Sequence, residues 1–170
     1  LTALAFFLSA LVLPSTFSHA AVIERVSVSS SGVEGYGYSS GSFISSDGRY
    51  VTFNSLASTL VPNDTNNNWD VLLHDRLTGS TTRVSVGSGG TQGNDTSSLG
   101  SPSADGRFIV FSSVANTLVP GDTNGAGDIF LHDVGTGSTT RIVVGVDGNP
   151  PSAQSGPVKM TANGRFAVFQ

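Results

Sequence analysis

Residues 103–133 read SADGRFIVFSSVANTLVPGDTNGAGDIFLHD, and the same stretch occurs once earlier in the chain and begins a third time near its end. A shift of 58 positions back places Asp47-Gly48-Arg49 on Asp105-Gly106-Arg107, Asp64-Thr65-Asn66 on Asp122-Thr123-Asn124, Asp70 on Asp128, and His74-Asp75 on His132-Asp133. The same shift forward brings Asp105-Gly106-Arg107-Phe108 onto Asn163-Gly164-Arg165-Phe166 without a gap. Arg25, Arg83 and Arg141 keep the register outside the stretch, each opening a β-branched run. A fixed period of this length signals a repeat architecture.

Each unit holds four candidate strands. In the second copy they are Ser98 to Ser103, Arg107 to Ser113, Asp128 to Asp133 and Thr139 to Val144; in the first, Ser40 to Ser45, Arg49 to Ser55, Asp70 to Arg76 and Thr81 to Val86. Ser-Ala-Asp-Gly and Gly-Thr-Gly-Ser have tight-turn compositions, so strands one and two, and three and four, are expected to be hairpins. No window beyond the first twenty residues shows apolar residues at helical spacing. In Arg107 to Ser113, Phe108 and Val110 take one face and Ile109 and Phe111 the other. A strand apolar on both faces must be covered on both sides. If each unit is a small four-stranded sheet, its neighbours in sequence supply the covers, and radial stacking of such blades gives a β-propeller.

These residues resemble a known family. SPSADGRFIVFSS followed by DIFLHDVGTGSTTRIVV is similar to the TolB-like, WD40-like (PD40-type) propeller repeat: S-P-D-G, an apolar strand ending in Phe-x-Ser, then D-I-x-x-x-D and a Gly turn. The likeness runs from Arg25 to Gln170 and implies an all-β, partial β-propeller of four-stranded antiparallel blades. Two departures stand out: Ser-Ala-Asp-Gly replaces Ser-Pro-Asp-Gly, and the unit exceeds the ~40 to 45 residues usual for a blade. The resemblance also admits an enzyme reading, since propellers of the prolyl oligopeptidase family precede a hydrolase domain.

Composition narrows the function. Only 12% of residues are charged and the net charge is -4, which argues against a phosphate-binding surface and hence against nucleic acid. The first twenty residues hold an apolar run from Leu4 to Leu13 and end in Ser18-His19-Ala20, a small-x-small cleavage pattern. They are read as a signal peptide (1–20) ahead of the propeller (21–170), placing the mature chain in the periplasm or outside a bacterium, with no transmembrane segment. Initiating Met and basic n-region are missing and Phe169-Gln170 interrupts a repeat, so the chain is read as a fragment truncated at both ends. Ile23 to Val28 align with a fourth strand and are expected to complete the last blade of the ring.

The extra length of the unit falls at one end of the blades. It lies in Leu56 to Trp69 and Ala115 to Gly127, and between blades in Gly87 to Ser97 and Gly145 to Ser155. Long loops on one face of a rigid scaffold are where binding concentrates. The arginines, Arg83 and Arg141 included, are assigned to the tight-turn end, and Glu34, Asp64, Asp70, Asp95, Asp122, Asp128 and Asp147 to the long-loop end, so that face is expected to be acidic and to favour cations.

Several motifs carry chemistry. Asp64, Asn66, Asn68 and Asp70, and again Asp122, Asn124 and Asp128, put oxygen side chains at alternating positions, as a loop wrapping calcium requires. The competing reading is that Asp and Asn cap their own turns. Having more oxygens, the first copy is expected to be the stronger cation site. Gly37-Tyr-Ser39-Ser-Gly41 matches G-x-S-x-G, but no helix follows to make a nucleophile elbow. His74 and His132 repeat with the fold and read as structural. Tyr36, Tyr38 and Trp69 belong to long loops of the first unit only; they suit stacking on a glycan or anchoring a protein, or else packing onto their own blade. The sequence therefore reads as an exported, non-catalytic scaffold binding a protein or glycan of the cell envelope. The alternatives are the N-terminal propeller of a larger secreted hydrolase and an architectural surface repeat protein.

Overall fold

The computed structural model describes residues 23–142 and 158–169, and all of these form an all-β structure with no helix. The expected leader at 1–20 and the connector from Gly145 to Ser155, with Asp147, lie outside the described residues. No helix among the described residues is long and apolar enough to cross a membrane.

The first unit is a four-stranded antiparallel blade: β1 (Ser39–Ile44), β2 (Tyr50–Ser55), β3 (Asp70–Asp75) and β4 (Ser80–Arg83), paired in that order. The second repeats it as β5 (Ser97–Pro102), β6 (Phe108–Ser113), β7 (Asp128–Asp133) and β8 (Ser138–Arg141). A third unit contributes the hairpin β9 (Lys159–Met160) and β10 (Ala167–Val168). The fourth strands end at Arg83 and Arg141, earlier than their β-branched runs suggest. Val84 and Ser85 N–H both still reach Val71 O (2.9 and 3.4 Å), and Val86 has already turned to bridge Gln92.

Blades stack through both faces of their middle strands. Val71 and Leu73 of β3 pack against Ile109, Phe111 and Phe130 of the second blade, with Val84, Ala115 and Leu118 closing the cluster. On the opposite face Val110 and Ile129 are covered by Val158, Met160 and Ala167 of the third unit. The two-faced apolar strand is thus buried from both sides by its sequence neighbours, the arrangement that makes a propeller. Stacking is tight enough to select glycine at two positions. A Cβ on Gly100 would lie 2.3 Å from Val71 Cγ1, and one on Gly106, which has φ +66, would lie 2.4 Å from the Tyr50 ring.

The repeated D-G-R and H-D motifs tie β2 to β3. Ser45 Oγ donates to Asp47 Oδ1 (2.5 Å), which also accepts Arg49 N–H (3.0 Å), closing the turn between β1 and β2. Arg49 then reaches across and forks onto both oxygens of Asp75 at 2.8 Å each. Arg107 repeats this on Asp133 at 3.1 and 2.9 Å. The fork holds the Asp75 carboxyl well below the usual range, and Asp133 at about 2.

The last blade that Ile23 to Val28 are expected to complete is not among the described residues; within these the segment lies along the first blade, as Thr81 to Val86 lie along the second. Val26 packs on the cluster of Phe53, Leu60 and Leu72, and Val28 O accepts Thr81 Oγ1 (2.5 Å) on the free edge of β4. Ser30 Oγ accepts Thr81 N–H (2.9 Å) and donates to Thr81 O (3.2 Å), so one hydroxyl satisfies both outward backbone groups of that residue. One period later Ser88 Oγ treats Thr139 identically, at 2.9 and 3.3 Å, while Thr139 Oγ1 donates to Val86 O. The linker entering each blade therefore guards that blade's outer edge, which would otherwise offer unpaired N–H and C=O groups to another chain.

Candidate functional site

The long-loop end is built from 56–69 and 114–127, between the second and third strands of each blade, and from the linkers 29–38 and 87–96. Its charges are arranged differently from the sequence expectation. The fourth strand leaves the tight turn at Ser80, so Arg83 stands at its far end, beside the start of β3. Arg83 Nη1 lies 3.0 Å from Asp70 Oδ2 and 3.5 Å from Asp64 Oδ1, and its Nη2 donates to Asn63 O (3.0 Å). Arg141 Nη1 sits between Asp128 Oδ2 (3.2 Å) and Asp122 Oδ1 (3.3 Å), and Arg25 pairs with Glu34. Arg25, Arg83 and Arg141 therefore belong to the long-loop end, where three arginines meet six described acids.

In the first loop the residues expected to surround a cation are engaged by the protein itself. Asp70 Oδ1 accepts Ser85 Oγ (2.6 Å) and Asp64 Oδ1 accepts Gln92 Nε2 (3.0 Å). Asn66 Nδ2 donates to Gly93 O (2.8 Å) while its Oδ1 accepts Asn68 N–H (2.9 Å), and Asn68 Nδ2 donates to Asn94 O (3.2 Å). These contacts zip the loop onto the linker to the next blade, and a guanidinium occupies the place between Asp64 and Asp70 that the sequence reading gave to a metal. Burial pushes the Asp70 carboxyl up, opposed by Ser85 and Arg83. Asp122 is pushed up by burial and by the charge of Asp128. No three His, Cys, Asp or Glu side chains converge as metal ligands among the described residues. Ser85 and Gln92 escaped the sequence reading because they sit in a Ser/Gly-rich stretch; their one visible signal is that both change in the next unit, to Val143 and Pro150.

The same face carries a groove on each blade. One of 430 Å³ is lined by Ser29, Ser30, Val33, Thr59, Leu60 and Pro62. One of 510 Å³ is lined by the residues 58 further on, Gly87, Ser88, Thr91, Thr117, Leu118 and Pro120. Neither lining contains a charged side chain. At the rim of the first groove Tyr36 N–H bonds Thr59 Oγ1 (3.1 Å), and the Tyr36 and Tyr38 side chains are 84% and 79% exposed. Trp69 differs: it is half-buried, and its carbonyl accepts Ser97 N–H (2.7 Å), holding the start of β5.

The remaining motifs are engaged in the scaffold. Ser39 opens β1 and donates its hydroxyl to Ser55 Oγ (3.0 Å). His74 Nδ1 lies 2.9 Å from Thr81 Oγ1 and His132 Nδ1 2.8 Å from Thr139 Oγ1. Each threonine spends its one proton on a linker carbonyl, so each imidazole donates from Nδ1, fixing the tautomer. Burial lowers both histidines below their ordinary pKa of about 6.5. Because the folded pKa is depressed, the unfolded chain binds protons that the fold refuses, and stability falls as pH drops below about 6.5 until the folded values are passed. Denaturant unfolding at pH 7.5 and 5.5 is expected to show this loss. The double variant H74N/H132N, which keeps an N–H near the Nδ1 position, is expected to flatten it; an unchanged slope would assign the dependence to other groups.

No family model and no curated protein matches the chain. Among solved structures it is similar to TolB from Acinetobacter baumannii, with 19% identity and a TM-score of 0.47, covering 76% of this chain and 26% of that one. It is also similar to the β-propeller domain of the trilobed protease from Pyrococcus furiosus, with 12% identity and a TM-score of 0.47, covering 79% of this chain and 34% of that one. The chain thus spans about a third or less of these structures' length.

Proposed function

We propose that this chain is part of an exported, periplasmic or secreted, non-catalytic propeller scaffold that binds a protein or an envelope glycan through its long-loop face. The observation that carries the reading is the recurrence of one uncharged groove on each blade of that face, with Tyr36 exposed and bonded to Thr59 at the first and Tyr38 exposed in the same linker. Neutral linings of hydroxyl, proline and aliphatic groups suit ligands recognised by shape and hydrogen bonds, and rigid, exposed tyrosines add stacking area at small entropic cost. Histidines and serines that are spent on holding strands and linkers support a binding role over a chemical one. The test is site-specific photocrosslinking in the producing cell, with the crosslinker replacing Tyr38 or, at the tight-turn end, the exposed Leu77. Adducts are expected from position 38 and not from 77. Equal labelling from both ends, or none at 38, removes the long-loop face as the binding surface.

A further inference from the structure

We propose that Asn163, in the turn joining β9 and β10, is a site of spontaneous deamidation, and that its aspartyl product completes a turn already built for a carboxylate. The turn belongs to the repeated D-G-R series. Asp47 and Asp105 hold the first two copies, and Asn163 stands at the same position of the third, followed by Gly164 and Arg165. Its side chain fills the acid's place. Oδ1 accepts Thr161 Oγ1 (2.8 Å) and Arg165 N–H (3.1 Å), as Asp105 Oδ1 accepts Ser103 Oγ (2.6 Å) and Arg107 N–H (3.1 Å). Asn163 is exposed, and its Nδ2 has no partner among the described residues, so the leaving amine already faces solvent.

The step is attack of Gly164 N on Asn163 Cγ. The two donors on Oδ1 stand where negative charge then develops and stabilise the tetrahedral intermediate as an oxyanion hole does. Gly164, at φ +68, carries no side chain to hinder its nitrogen. Its N–H is first released from Thr161 O (2.9 Å), and a hairpin whose strands have two residues each opens readily. The N–Cγ bond forms, the Cγ–Nδ2 bond breaks and ammonia leaves; water then opens the cyclic imide. Cleavage of the new N–Cγ bond gives aspartate, and cleavage of the original peptide bond gives isoaspartate, whose main chain is one methylene longer. The products part at the blade joint. Ala162 O accepts Ala104 N–H (2.7 Å), docking this turn on the second blade. Aspartate keeps the turn and strengthens its two hydrogen bonds by charge, whereas isoaspartate breaks it. Neighbouring motifs are protected. Asn124 also precedes a glycine, but it is half-buried and its Nδ2 is held by Asp128 Oδ2 (3.3 Å), a carboxylate that opposes further negative charge. At Asp47 and Asp105, hydrogen bonds from Ser45 and Ser103 hold the carboxyls ionised, and a carboxylate resists attack.

Incubation of the whole chain for several weeks at mildly alkaline pH, with peptide mapping by mass spectrometry, tests the site. The expected result is exchange of NH2 for OH at Asn163 roughly tenfold faster than at Asn124, with aspartate and isoaspartate resolved by chromatography. In guanidinium chloride the two sites are expected to convert alike, because both are Asn-Gly and only the fold distinguishes them. Asn163→Asp, which installs the aspartyl product directly, is expected to melt at a higher temperature than the parent. No conversion at Asn163 in the native chain, equal native rates at the two sites, or a preference that persists in guanidinium chloride overturns the proposed site. A melting temperature of Asn163→Asp no higher than the parent's overturns the fit of the product to the turn.

Discussion

Arg83→Ala is expected to lower the unfolding free energy by about 3 to 5 kcal/mol, among the largest effects available to a single substitution in this chain. The guanidinium is 9% exposed and faces carboxylates whose side chains are 6% and 1% exposed, so removing it leaves two acids buried side by side without a countercharge. It also releases the carbonyls of Pro62 and Asn63, which the second amino group holds in the turn ahead of β3. Arg83→Lys keeps the charge but not the fork that reaches acids and carbonyls together, and an intermediate loss is expected. Converting the acids as well, in Arg83→Ala with Asp64→Asn and Asp70→Asn, is expected to recover much of the deficit, because the penalty lies in the orphaned charges rather than in the missing contact. Urea unfolding of the four proteins measures this. A loss below about 1 kcal/mol for Arg83→Ala would show that solvent reaches the pair and screens it.

The arginine also marks where the sequence stopped being readable. Four strands to a unit, their order and the two-sided burial of β6 all follow from a gap-free 58-residue period and from Phe108, Ile109, Val110 and Phe111 alternating in one strand. Such features are local, and local patterns survive in a one-dimensional reading. The partner of a side chain is not local. Arg83 reads as a tight-turn residue in sequence, but four residues of β4 carry it to the opposite end of the blade, where it meets acids 13 and 19 positions away. The linker contacts were hidden for a similar reason. Ser30 and Thr81 are 51 residues apart and each is unremarkable alone; only their joint recurrence as Ser88 and Thr139 could have suggested that a linker guards the outer strand. Ile23 to Val28 read as a fourth strand by register, and their contacts with the first blade repeat those that Val84 and Val86, at the end of a fourth strand, make with the second. In the Asp-Thr-Asn loops the pattern D-x-N is shared by calcium ligands and self-capping turns, and no property of the loop alone separates them. In the first loop Asp70 and Asp64 accept hydrogen bonds from Ser85 and Gln92, residues outside the loop that its own pattern does not reveal.

Phe111→Ala is expected to cost about 3 to 5 kcal/mol, and Phe53→Ala, the same change one unit earlier, distinctly less. Both rings sit at the same position of the second strand, yet they are buried by different neighbours. Phe111 is fully inaccessible, stacks on Phe130 with ring centroids 5.7 Å apart, and packs in the cluster that Val71 and Leu73 bring from the first blade. Its removal opens a cavity at the joint between two rigid sheets, which cannot close without shifting a blade. Phe53 is also buried, at 3% exposure, but by Ala57, Leu60 and Val61 of its own loop and by Val26 of the entering linker. Among the described residues no blade presses on that face, so loop and linker can settle into the space and recover part of the loss. Paired denaturant unfolding of the two variants, with Phe111→Leu as a smaller truncation, measures the difference. Since the substituted atoms are identical, any excess at Phe111 over Phe53 reports what stacking a second blade adds to the burial of one side chain. Equal costs at the two positions would mean that the joint contributes nothing beyond each blade's own loop, and that the blades are held together by their linkers rather than by their faces.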